Sequence, residues 1–206
     1  PGIGRKFVEY SNQTAQCLSR LDYILLRKPF RHKFEIQPVA PAIRKILMTL
    51  GAEDRWNIIP SVVETVPRMH KSIELHLILG PGFKNRQEIL SMSKNRVHIH
   101  EALPAENIRD LMLGMDLAIT AGGQTTNELA KCGVPMIILQ VAENQEPNIK
   151  GWIAQKIISA ACKESHLALE FIIQQIAALQ PSTEREACRL ANAESLGRGN
   201  GYTALM

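Results

Sequence analysis

Residues 116–145 read DLAITAGGQTTNELAKCGVPMIILQVAENQ, a strand, a glycine turn and a helix start in immediate succession. Leu117, Ala118 and Ile119 form a short apolar run suited to a buried parallel strand, and Gly122-Gly123 lets the backbone turn with no side chain in the way. Thr125 or Thr126 is placed to cap the helix that follows. The free N–H groups of that first turn, with the positive end of the helix dipole, favour an anion, most often a nucleotide's diphosphate. Glu128 would repel a phosphate set directly above it, but it is spaced to accept both hydroxyls of an adjoining ribose. The same turn and a Glu at this helical position also occur as plain turn and capping chemistry in proteins that bind nothing there.

Working outward, apolar runs predict strands near 45–50, 73–79, 96–100, 116–120 and 135–140. Helical spacing falls over 55–69, 84–94, 105–114 and 124–132, with further helices at 147–159, 165–179 and 182–194. The alternation predicts an α/β fold, a Rossmann-like parallel sheet with helices on both faces. In such sheets ligands bind beyond the carboxyl ends of the strands, so the loops after each strand carry the search. Gly51 can bring backbone close to phosphate, although Glu53 and Asp54 beside it are tolerable only if they cap the next helix from its outer side. Glu143, Asn144 and Gln145 follow a strand, and their amides can bond sugar hydroxyls without adding charge; Asn144 alone also suits a simple cap. His98 and His100 alternate on a strand and share one face, but no third ligand at matching spacing follows, so they read as structural histidines. Arg27 suits a phosphate, an interdomain contact or plain solvent. Trp56 and Trp152 read as packing residues.

The chain has 206 residues, 45% of them hydrophobic, enough for one sizeable core. A net charge of +4 and an isoelectric point near 9.0 would suit nucleic acid, yet the basic residues are scattered and aromatics make up only 5%. No nucleic-acid partner is therefore expected. Cys17, Cys132, Cys162 and Cys188 are too widely spaced for a paired metal or redox motif, which argues against zinc and for a reducing, cytoplasmic setting. No apolar run nears the roughly twenty residues of a membrane span.

AGGQTTNELAKCGVP followed by ENQ resembles the C-terminal, donor-binding domain of GT-B enzymes that handle UDP-sugars. Within that superfamily, YILLRKPF at 23–30, ILMTLGAED at 46–54 and LGRGNGYTALM at 196–206 are similar to the UDP-sugar hydrolases of the pseudaminic acid pathway. Those enzymes release a 2,4-diacetamido-2,4,6-trideoxy sugar from UDP. The resemblance implies diphosphate binding at Gly51, Gly122, Gly123, Gln124 and Thr125, and ribose binding at Glu128. It implies reading of the base by main chain around Ile99 and His100, and sugar contacts at Asn144 and Gln145. It implies neither cofactor nor metal. The family's water-activating histidine belongs to the N-terminal domain, no position here matches its motif, and the catalytic residue is left unassigned. Residues 1–40 then read as the tail of such an N-terminal domain or a linker, and 41–206 as the nucleotide-sugar-binding domain of a longer parent. A glycosyltransferase half and a non-catalytic binding module are the alternatives.

Overall fold

The computed structural model describes residues 24–32, 34–92 and 95–196. Tyr23, Cys17, the 1–22 tail and the 197–206 part of LGRGNGYTALM lie outside them. Six parallel strands form one sheet: β1 (Lys45–Thr49), β2 (Glu74–Leu79), β3 (Val97–Glu101), β4 (Leu117–Ala121), β5 (Met136–Leu139) and β6 (Ala161–Cys162). Their order is β3-β2-β1-β4-β5-β6. The first five fall within about a residue of the predicted runs. The two-residue β6 was not predicted, being too short to leave a periodic signature.

The connecting helices are α1 (Ile59–Met69), α2 (Arg86–Ser91), α3 (Ala105–Leu113), α4 (Thr125–Lys131), α5 (Glu146–Ala154), α6 (Ala168–Ala178) and α7 (Ser182–Leu196). Helix α1 opens four residues later than its apolar spacing suggests, because the Asp54 carboxylate accepts the N–H groups of Ile58 and Ile59 and Pro60 sits in the first turn. Asp54 thus meets the condition set for an acid in this loop, and Glu53 is paired with Arg55 at 2.7 Å. Helix α5 stops short of the predicted 159, with Lys156 in a left-handed conformation just after it.

Every residue of β4 and β5 is buried, as strands covered on both faces must be. On one face Ile46, Met48, Leu75 and Leu77 meet Ile59 and Val62 of α1 and Ile172 and Ile176 of α6. On the other, Leu47, Ala118 and Ile138 meet Met112, Leu129 and Trp152. Ile24, Leu26 and Phe30, which precede β1, are buried in this second core. Each such side chain contributes about 1.5–3 kcal/mol by leaving water. No described helix is long and apolar enough to cross a membrane.

The strand order reverses at the centre. From β1 the chain steps outward to β2 and β3, then returns to place β4 on the other flank of β1, with Thr49 in register with Thr120. The loops leaving β1 and β4 therefore part in opposite directions, and a crevice opens between them.

Candidate functional site

Gly51 leaves β1 and Gly122-Gly123 leaves β4, so both glycine loops stand at that crevice. It holds a cavity of about 650 Å³ and, beside it, one of about 720 Å³, with Gly51, Gln124 and Thr125 lining both. Gly51 has φ +85°, a left-handed conformation that glycine adopts without strain. The two glycines of the second turn do different work. A Cβ on Gly122 would stand 2.7 Å from Cδ1 of Ile149, whereas one on Gly123 would meet no atom within 4 Å. Gly122 thus lets α5 approach the turn, and Gly123 presents bare backbone to the crevice.

Helix α5 and the short helical turn Glu143–Gln145 hold the glycine turn in place. Gln145 Oε1 accepts the N–H groups of Gly122 (3.2 Å) and Val141 (3.0 Å). Asn148 Nδ2 donates to the Gly122 carbonyl at 2.9 Å and to Thr126 Oγ1 at 3.1 Å. Thr126 Oγ1 donates to the Gly123 carbonyl and accepts the indole N–H of the fully buried Trp152 at 3.0 Å. Neither Thr125 nor Thr126 caps α4 through its N-cap position, which Gln124 occupies; Thr126 fastens the turn instead. Thr126→Val is expected to cost about 1–3 kcal/mol of stability, since it strips the acceptor from the buried Trp152 indole and one from the part-buried Asn148, and a shift in the urea midpoint checks this. After these bonds, the N–H groups of Gly123, Gln124 and Thr125 make no hydrogen bond among the described residues.

The 650 Å³ cavity, which reaches β2, is lined by the apolar Ile78, Ile108 and Met112 and also by Glu128 and Arg27. The pair is bidentate: Arg27 Nε and Nη2 each donate to one Glu128 oxygen at 2.6 Å. The Glu128 side chain is 8% exposed and that of Arg27 46%. The hydrogen bond to Glu128 raises the Arg27 pKa further above its ordinary value.

No family model matches the chain. Over 150 residues it is 26% identical to the uncharacterized protein MJ1062 of Methanocaldococcus jannaschii, an alignment covering 68% of this chain and 30% of that protein. Over 137 residues it is 25% identical to the spore coat polysaccharide biosynthesis protein SpsG of Bacillus subtilis, covering 65% and 40%. The chain therefore spans less than half the length of the curated relatives it matches. Its structure superposes on the spinosyn rhamnosyltransferase SpnG complexed with thymidine diphosphate, with a TM-score of 0.59 and 13% identity over 95% of this chain and 52% of that one. It likewise superposes on UDP-GlcNAc 2-epimerase of Neisseria meningitidis bound to UDP-GlcNAc, with a TM-score of 0.58 and 18% identity over 79% and 43%. The fold is a Rossmann-like α/β fold, shared with these solved structures.

Within this Rossmann-like domain, Gly51, Gly123, Gln124 and Thr125 gather around the crevice, and Glu128 lines its apolar side. Asn144 and Gln145 line the neighbouring cavity, where the carbonyl oxygen of Gln145 is already engaged by the turn. Ile99 and His100 line neither cavity. Ile99 leans on the first core, and His100 faces the other side of the sheet against His76. Burial and two neighbouring imidazoles push the His76 pKa down to about 4, so its ring is neutral at pH 7. Burial pushes the Cys132 thiol up to about 12, which makes it an inert packing residue. The sequence reading missed Asn148 and the polar role of Trp152. Gln145, Asn148 and Trp152 recur three and four residues apart, so they share one helical face, and that spacing was the available signal.

Proposed function

We propose that the chain is the donor-binding half of a GT-B-fold enzyme that handles UDP-sugars. The observation that carries this is the set of unengaged amides at Gly123, Gln124 and Thr125, held over an open cavity at the point where the strand order reverses. A diphosphate satisfies them. Glu128 keeps lone pairs beyond those used by Arg27, so it can hold ribose hydroxyls on the apolar side, where Ile78, Ile108 and Met112 offer a surface for a flat base. Asn144 and Gln145, on the other side, suit the sugar.

The finer reading is a hydrolase acting on UDP-diacetamido-trideoxyhexose in nonulosonic acid synthesis, supported by the resemblance of residues 23–30, 46–54 and 196–206. In it the general base comes from a partner domain of the same parent, and a cytoplasmic setting suits the free thiols of Cys132, Cys162 and Cys188. A glycosyltransferase half is the second reading, favoured by the likeness of this fold to a rhamnosyltransferase. A parent protein that consumes UDP-sugar without any hydroxyl acceptor is a hydrolase, and one that requires the acceptor is a transferase. Calorimetric titration of this chain with UDP, CDP and GDP tests the shared step. UDP is expected to bind at least roughly tenfold more tightly than GDP, about 1.4 kcal/mol; equal or undetectable binding of all three rejects the donor site.

A further inference from the structure

We infer that Glu74, His76 and His98 form a binding site for a divalent transition metal of the zinc class at the β2–β3 edge of the sheet. In sequence the two histidines of β3 had no third ligand. The parallel register gives His98 partners from β2 instead, pairing His76 with His98 and Ile78 with His100, so that alternate residues of both strands present their side chains on one face. Among the described residues, Glu74, His76 and His98 bring one ligand atom each within 4.8 Å of one another.

The hydrogen bonding of His76 favours a ligand. Its Nδ1 lies 3.1 Å from Nε2 of His100, and with the proton on Nδ1 that nitrogen donates to His100. Nε2 of His76 then carries a bare lone pair. It is buried with no hydrogen-bond partner, and the Glu74 carboxylate stands 3.8 Å from it. A ring lone pair and a carboxylate oxygen are both acceptors, so a cation between them is what satisfies the two together. Two imidazoles and a carboxylate suit zinc, and an outer hydrogen bond on the second ring nitrogen, as His100 provides, is the usual support for a ligating histidine. Tetrahedral zinc ligands stand about 3.3 Å apart, so the three atoms must close in. His76 and His98 now stack with centroids 4.7 Å apart and planes 24° from parallel, so closure requires the partly exposed His98 ring to tilt. The Glu74 side chain is 44% exposed and free to follow. A bound ion would pin the edge strand to β2, two residues from Ile78 of the apolar cavity wall.

The test is calorimetric titration of the tag-free full chain with zinc chloride at neutral pH, repeated with cobalt(II) under visible absorption. One equivalent of zinc is expected, with a higher melting temperature and the d–d bands of tetrahedral cobalt without a near-ultraviolet thiolate band. His98→Asn and Glu74→Gln, both at partly exposed positions, are expected to weaken binding roughly tenfold or more while leaving the metal-free melting temperature near the parent's. No binding, a thiolate band, or a site that survives in both variants overturns the assignment. UDP affinity is a separate measurement, so this site and the donor site fail independently.

Discussion

Gly123→Val is expected to remove detectable UDP binding while leaving the melting temperature within a few degrees of the parent. The contrast among the crevice glycines makes this the cleanest substitution. Gly51 has φ +85°, so any side chain there strains the loop, and a Cβ on Gly122 would collide with Ile149. Gly123 has neither problem. Its backbone is outside the left-handed region, and its Cβ would enter empty space. That space is the place where phosphate oxygens would meet the amides of residues 123–125, so a branched side chain excludes the ligand with little effect on the fold. Calorimetry for affinity and differential scanning for stability check the two halves. Retained UDP affinity in a folded variant moves the diphosphate elsewhere.

Glu128→Ala is expected to weaken UDP binding by about 1–3 kcal/mol, the usual cost of deleting a charged acceptor. The same change frees Arg27 from its bidentate pairing, so it also loosens residues 24–30 from the domain. Arg27→Met separates the two effects. It breaks the ion pair but keeps the carboxylate, and it is expected to lower the melting temperature without a matching loss of UDP affinity. If both variants melt early and both bind UDP like the parent, Glu128 is an anchor for the preceding segment and not a ribose ligand.

The parts of the fold set by short-range pattern were plain in the sequence. Buried runs such as Leu117–Ile119 and Met136–Leu139 gave the strands, and helical spacing gave α3, α4 and α7 nearly in full. The glycine turn was legible because its chemistry is local. What escaped were pairings between residues distant along the chain. Arg27 and Glu128 are separated by 101 positions, and they meet where Leu26 and Phe30 pack into the same core as Leu129 and Ala130. His76 meets His98 and His100 through strand register, which no spacing within one strand reveals. The fastening of the turn by Asn148 and Trp152 was half visible, as a shared helical face, but its target was not.

Because Gln145, Asn148 and Thr126 already settle both carbonyls of the Gly-Gly pair and the first amide, the remaining amides point in fixed directions before any guest arrives. Capture then surrenders little conformational freedom on the protein's side. Differences in affinity among nucleotides should consequently appear in how long each one stays, with arrival rates nearly alike.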